Sequence, residues 1–383
     1  MSIKKIVIAP DSFKESMTAK QAAEAVKRGF ESIYKGSVSY ELIPMADGGE
    51  GTTQSLADSL QGSLHEREVT GPLGDKVIAT YAISGDGATA IIEMAEASGL
   101  ALVSPQDRNP LKTTTYGTGE LIKAALEHGV SNIILGIGGS ATNDGGAGMI
   151  EALGGRLYTK NKQLVTKGGA ALQDLIEMDL TALDSRLKKV NVLVACDVDN
   201  PLLGPSGASA IYGPQKGATP KMVKQLDQAL ENFHNVMEKA TGKDVKSLPG
   251  SGAAGGIGAG LLACLGATLK PGIDIVLEQT NFAERVANAD LVITGEGKID
   301  NQTIYGKTPI GVAKAAKKHS EATVIALCGT LGNGHESVFE HGIDAAFSIV
   351  QGPCNIEEAI QQGPVNVEAT ARNIAQVMKM LEK

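Results

Sequence analysis

The sequence predicts an α/β protein. One Rossmann-like parallel sheet is expected to be discontinuous in sequence, with a second α/β domain inserted into it. Three observations carry this expectation. Over the first 65 residues short apolar runs alternate with amphipathic stretches, the β-α-β-α signature of a parallel sheet. The same rhythm returns after about Phe282. Between them lie short strand-like runs, turns and a loop at 136–149 in which six of fourteen residues are glycine. The expected domains are 1–65 with 283–383, and 66–282.

The first strand is expected at 4–9. Thr18 and Gln21 stand at the N-cap and N3 positions of a capping box, and Ala22, Val26, Phe30 and Ile33 follow at helical spacing. A second strand at 41–44 empties into Met45-Ala-Asp-Gly-Gly-Glu-Gly-Thr52, with a helix after it. Runs at 69–70, 77–83 and 90–94 read as strands, separated by the turn sequences Gly71-Pro-Leu-Gly74 and Gly85-Asp-Gly87. A helix over 119–128 and a strand at 133–135 lead into the Gly-rich loop, and a strand at 191–195 follows a long stretch without clear pattern. Thr219-Pro220 opens a helix marked by Val223, Leu226, Leu230, Phe233 and Met237. Beyond 282, strands are expected at 291–294, 323–327 and 345–349. Thr308-Pro309 caps a helix over 309–318, and Val367, Ala371, Ile374, Met378 and Leu381 mark a final one.

The chain has 383 residues, 42% of them apolar, with 47 glycines and no tryptophan, so its cores must be built from Ile, Val, Leu, Ala and Met. A formal charge of −8 argues against a nucleic-acid partner, which needs a basic face. Cys196, Cys264, Cys328 and Cys354 are widely spaced and form no C-x-x-C, so reduced thiols in the cytoplasm are expected. The apolar run after Lys4-Lys5 is too short for a signal peptide. The uncharged stretch 247–269 carries Gly252, Gly256 and Gly260 at G-x-x-x-G spacing. Its Pro249 and scarce large apolar residues point to a buried Gly/Ala helix or an anion loop, with no membrane partner. His65, His128, His234, His319, His335 and His341 are read as structural, and no Ser-His-Asp arrangement is indicated.

Ligands of open α/β sheets bind beyond the carboxyl ends of the strands. There the sequence places Asp11, Ser12 and Lys14; Asp47 and Glu50; Asp144; Asp197, Asp199 and Asn200; and Glu296, Lys298, Asp300 and Lys307. Each alone also suits a turn or a helix cap, as Asp47-Gly48 and Asp199-Asn-Pro201 do; the concentration at strand ends favours function. Carboxylates without a His/Cys cluster suit Mg²⁺ together with substrate phosphates, and lysines in glycine loops suit phosphate. Together they describe a phosphoryl-transfer site. On residue chemistry Asp47, Asp144, Asp11 and Lys14 are the catalytic candidates, with Asp47 favoured as base. Gly138, Gly139, Ser140, Thr142, Asn143, Lys216, Glu296, Lys298 and Lys307 are the phosphate or nucleotide candidates. Asp197, Asp199 and Asp300 are the metal candidates. Gly306-Lys-Thr308 ends like a P-loop, but the first glycine of that motif would fall on Asn301.

At these residues the chain closely resembles the type I glycerate kinase family. The resemblance rests on Ile8-Ala-Pro-Asp-Ser-Phe-Lys14, Pro44-Met-Ala-Asp-Gly-Gly-Glu-Gly-Thr52, Thr114-Thr-Tyr-Gly-Thr-Gly-Glu-Leu121 and the central loop Gly136-Ile-Gly-Gly-Ser-Ala-Thr-Asn-Asp-Gly-Gly-Ala-Gly-Met149. It extends through Ala195-Cys-Asp-Val-Asp-Asn-Pro-Leu-Leu-Gly204, Gly213-Pro-Gln-Lys-Gly-Ala218 and Ile293-Thr-Gly-Glu-Gly-Lys-Ile-Asp300, covering nearly the whole chain. One departure is Glu15, where the family usually has glycine. The resemblance implies an ATP-dependent, Mg²⁺-using kinase of D-glycerate giving mostly 2-phosphoglycerate. It also implies two α/β domains facing a cleft. A monomer or small homo-oligomer is expected.

Other readings remain. Gly136-x-Gly138-x-x-Ala141 fits the dinucleotide fingerprint of a nucleotide-dependent oxidoreductase, yet no second strand ends in an acid about 20 residues on. A kinase of another small hydroxy acid shares all these features. A non-catalytic anion sensor would carry anion donors without abundant carboxylates.

Overall fold

A computed structural model describes residues 3–382. In chain order, β1 (Lys5–Pro10) and β2 (Ser39–Leu42) come first. Then follow β3 (Ser63–Thr70), β4 (Lys76–Ile83), β5 (Thr89–Glu93), β6 (Asn132–Gly136), β7 (Arg156–Thr159), β8 (Leu175–Asp179), β9 (Asn191–Ala195) and β10 (Thr268–Lys270). Last are β11 (Leu291–Ile299), β12 (Thr323–Leu331) and β13 (Ala345–Ser348). The chain divides into two compact units. One comprises 1–47, 54–61 and 273–383; the other comprises 48–53 and 62–272. The sequence reading put the joins at 65/66 and 282/283 and kept 48–53 with the first unit.

The first unit holds a sheet of order β13-β12-β11-β1-β2, parallel throughout. Order reverses between β1 and β11, the switch point at which open α/β sheets bind ligands. The helix Ala19–Tyr34 starts at the expected capping box, where Gln21 N–H donates to Thr18 Oγ1 and Thr18 N–H to Gln21 Oε1. It ends where Lys35 and Gly36 take φ of 47° and 80°. Ala22, Val26 and Phe30 face a core with Ile6, Ile8, Leu291, Ile293, Val367 and Ile374. Burying a side chain such as Phe30 contributes roughly 2–3 kcal/mol. A Cβ on Gly29 would lie 2.5 Å from the Glu368 carbonyl oxygen, so glycine permits close packing on the helix Gly363–Leu381.

The second unit holds a six-stranded sheet of order β10-β9-β6-β5-β4-β3. The strands from β10 to β5 are parallel, whereas β5-β4-β3 is an antiparallel meander. Its core gathers Leu121, Ile122, Ile133, Leu135, Leu230 and Phe233. A separate antiparallel pair, β7-β8, occupies the stretch that lacked a clear sequence pattern. Residues 253–260 are helical as expected of a buried Gly/Ala segment, but Ala254, Gly255 and Gly256 have positive φ, which kinks it. No helix among the described residues is long and apolar enough to cross a membrane.

Candidate active site

In the first unit the strand ends at the switch point bring acids together. Asp11 follows β1, and its N–H donates to the Gly295 carbonyl of β11 at 2.8 Å. Its carboxylate accepts from Ser12 N and Thr308 Oγ1, both at 2.6 Å. Burial, and then the charge of Asp47, push the Asp11 carboxyl up to about 7. Glu296 accepts from Thr303 Oγ1 at 2.9 Å and from Lys307 Nζ at 3.3 Å. Burial raises its carboxyl too, against the pull of Lys307. Thr308 was expected as an N-cap; Lys307 takes the cap position of the helix Thr308–His319 and frees the threonine hydroxyl for Asp11.

The strand ends differ from the sequence reading in one respect. β11 continues beyond 294, because Lys298 and Ile299 pair with Thr330 and Leu331 of the longer β12. Glu296 and Lys298 therefore lie within a strand. Lys298 Nζ pairs with Asp300 at 2.8 Å, and this contact holds the Asp300 carboxyl below its ordinary value. An aspartate committed to a lysine fits a metal ligand poorly. Lys14 is exposed and pairs with no carboxylate among the described residues.

In the second unit the register aligns Glu93 with Gly136, Gly136 with Ala195 and Ala195 with Lys270, a row of four strand ends. Against this row lies the loop that begins at Gly48. A Cβ on Gly48 would stand 2.5 Å from that of Ala195, and one on Gly136 would stand 2.7 Å from the Gly48 carbonyl oxygen. Glu93, 8% exposed, accepts from Thr53 N at 2.7 Å and Gly51 N at 3.3 Å, and so anchors the loop that follows Asp47. Burial raises its carboxyl, with those donors opposing. Sequence reasoning passed over Glu93, because the strand was expected to run to 94 and Glu93 to lie within it.

Within the central loop only part of the candidate set is open to ligand. Gly138 and Gly139 are exposed, Gly139 with φ of 71°. Ser140, Thr142 and Asn143 are buried. Asp144 is 2% exposed, and its oxygens accept from Thr115 N, Thr115 Oγ1, Gly146 N and Gly148 N at 2.9–3.3 Å. Burial pushes its carboxyl up, and those four donors act against the shift. Lys216 is 1% exposed and donates to Ser140 Oγ and to the Thr142 carbonyl, both at 2.6 Å. Burial lowers its ammonium to about 7. Asp144, Asn143, Thr142 and Lys216 thus shape the loop from inside, with no direct access to a phosphate. The sequence showed their type and spacing but not that they point inward.

Asp197 and Asp199 are exposed after β9, and Asp197 Oδ1 accepts from Gly272 N at 2.9 Å. The buried His234 lies with Nε2 3.2 Å from Asp244 Oδ1 and Nδ1 3.8 Å from Glu238 Oε2; Val245 N–H also donates to Nε2, which ties down the end of the helix Pro220–Thr241.

The sequence pattern described as "Glycerate kinase family" matches residues 6–379. The chain belongs to the glycerate kinase family. A "Glycerate kinase" of Halalkalibacterium halodurans is 59% identical, with 97% of each chain covered. A "Glycerate 2-kinase" of Escherichia coli is 52% identical, again with 97% of each covered. A crystal structure described as a candidate glycerate kinase 2 of Salmonella typhimurium LT2 is 49% identical, covers 100% of both chains and has a TM-score of 0.92. That agreement extends to the α/β fold. The glycerate kinase family assignment makes this chain a phosphotransferase, and the oxidoreductase reading of Gly136-x-Gly138 falls away.

Proposed function

We propose that the protein transfers the γ-phosphoryl group of ATP to the 2-hydroxyl of D-glycerate, with Mg²⁺, in the cytoplasm. The observation that carries the chemistry is the acid set of the first unit. Asp11 and Asp47 repel one another at a strand end, and Asp11 is pushed up to about 7. A carboxyl that keeps its proton beside a second carboxylate leaves the base role to that neighbour. Asp11 holds the proton and relieves the repulsion; Asp47 accepts the proton of the attacking hydroxyl. General-base assistance of this kind contributes about 10²–10⁴-fold. Gly138 and Gly139 offer backbone N–H groups to phosphate, and Lys14 and Lys307 supply positive charge. Lys298, committed to Asp300, contributes less. The 2-hydroxyl is favoured because the Escherichia coli relative carries that name.

Hard oxygen donors suit Mg²⁺. Asp197 and Asp199, exposed and two apart after β9, would hold it. When bound it would neutralise charge on the phosphates.

The test is direct. Protein incubated with ATP, Mg²⁺ and D-glycerate should yield ADP and a phosphoglycerate whose ³¹P coupling identifies the 2-ester. Absence of ADP formation rejects the reading, and a 3-ester rejects the regiochemistry. Asp47→Asn should lower kcat by at least about 10²-fold while melting normally; a folded variant that keeps most of its kcat excludes Asp47 as the base.

A further inference from the structure

No lysine or arginine other than Lys216 is buried among the described residues. Both of its hydrogen bonds go to neutral oxygens of the Gly-rich loop, Ser140 Oγ and the Thr142 carbonyl, on either side of Ala141. An ammonium taken out of water without a carboxylate partner is costly, and a methionine would fill much the same space without that cost. Packing therefore does not account for the lysine. What it does that an apolar side chain cannot is donate to two points of the loop at once.

The lysine has a fixed seat. Pro214–Lys216 form a single 3-10 turn, closed by Gly217 at φ of 92°. A Cβ on Gly213 would lie 2.3 Å from the Ser209 carbonyl oxygen, and one on Gly217 would lie 2.4 Å from that of Arg108. The two glycines thus let the turn wedge between neighbouring backbones. The loop is pinned from a second segment as well. Leu100 N–H donates to the Gly139 carbonyl at 2.8 Å, and Ala141 N–H donates to the Ser98 carbonyl at 2.9 Å. These bonds leave the N–H groups of Gly138 and Gly139 with no protein acceptor among the described residues. Both glycines are exposed, and Gly139 has φ of 71°. Successive free N–H groups in such a turn make a nest for an anion. Ser140, which Lys216 grips, is the next residue.

We propose that Lys216 is a positioning residue: it holds Ser140 and Thr142 from inside, and so keeps the Gly138–Gly139 turn in the shape that receives the triphosphate of ATP. This rests on the kinase reading above for the identity of the anion, but the turn is an anion site whatever the reaction.

The experiment compares wild type with Lys216→Met, Ser140→Ala and the double variant, each first checked for a cooperative melting transition. Lys216→Met removes both bonds to the loop; Ser140→Ala removes one and leaves the lysine in place. The expected result is a KM for ATP raised at least about 30-fold in Lys216→Met and about 5-fold in Ser140→Ala, with the KM for D-glycerate within about 3-fold of wild type. The double variant should match Lys216→Met, because one residue acts through the other. A second readout needs no turnover. Millimolar inorganic tripolyphosphate should raise the melting temperature of wild type but not of Lys216→Met. If Lys216→Met does not fold, Ser140→Ala decides. Either variant, folded and with the wild-type KM for ATP, overturns the proposal and leaves the kinase reading intact. Equal rises in KM for both substrates mark general damage and overturn it, and so do losses that multiply in the double variant. A wild type that responds thermally to tripolyphosphate through Lys216, but forms no ADP, upholds the positioning of an anion site and rejects the reaction. No thermal response in wild type overturns the proposal.

Discussion

Glu15 takes φ of 65°, in the left-handed region where a side chain is strained and glycine is at ease. The family resemblance led glycine to be expected here, so the glutamate has a cost in backbone energy. Glu15→Gly should raise stability by about 0.5–1 kcal/mol, read as a shift in the denaturant midpoint; an unchanged or lower midpoint would show that the turn tolerates glutamate. Asp11 carries a second expectation. Its folded-state value of about 7 lies above the ordinary 3.8, so the native chain holds this proton more tightly than the unfolded chain. The stability that follows is complete below about pH 4 and is lost as pH rises through about 7. Asp11→Asn should therefore gain on wild type between about pH 5 and about pH 8, by about 1–3 kcal/mol in metal-free melts. A constant difference across that range would rule out this titration. At this scale the sequence disclosed that Asp11 and Asp197 follow strands, but not that Glu93 ends one or that Glu296 lies inside one. It could not disclose that Asp144 and Lys216 face inward, because that depends on Thr115 and Ser140 arriving from other segments.

The kinked segment Ala253–Gly260 shows how an element supports the site without touching ligand. A Cβ on Gly255 would stand 2.0 Å from the Thr142 carbonyl oxygen, and one on Gly260 would stand 2.5 Å from that of Gly145. Of the G-x-x-x-G glycines, Gly256 and Gly260 approach Gly145 of the central loop, whereas Gly252 approaches Pro201. Gly255→Ala combines a φ of 72° with that clash and should cost at least about 2–3 kcal/mol and most of the activity. Gly36→Ala, at φ of 80° with nothing within 4 Å of its Cβ, should cost only about 1 kcal/mol. Equal losses in the two variants would mean that the backbone angle, and not the packing, decides. Most apolar strands were readable from their periodicity. β3 extends to Ser63 through the polar run Ser-Leu-His-Glu-Arg-Glu, which an edge strand tolerates because one side faces water. β7 and β8 escaped notice for a similar reason: Arg156 and Glu177 are exposed, and the strands are joined by a long connection.

At the level of the whole chain both cores are apolar, built around Phe30 with Ile293 in one unit and Phe233 with Leu135 in the other. Apolar side chains fill both cores among the described residues. Chelation with EDTA should therefore abolish phosphoryl transfer while moving the melting temperature of the ligand-free protein by less than about 2 °C, and added Mg²⁺ should restore turnover. A large destabilisation by EDTA would reveal a structural ion. The discontinuous sheet was legible because its two halves keep the same β-α rhythm; the exact exchange of 48–53 was not, since glycine loops carry no periodicity. That discontinuity has a consequence for the order of synthesis. β1 pairs with β11, and Thr294 Oγ1 donates to the Ala9 carbonyl across a sequence separation of 285. At about 5–20 residues per second the first strand waits roughly 15–60 seconds on the ribosome for its neighbour. Most of the inserted unit emerges complete during that wait. The nascent chain therefore carries an apolar strand, Ile6 to Ala9, that has β2 on one side but lacks β11 on the other for most of its time in translation. Chaperone capture of ribosome-bound chains should be strongest before β11 has cleared the exit tunnel.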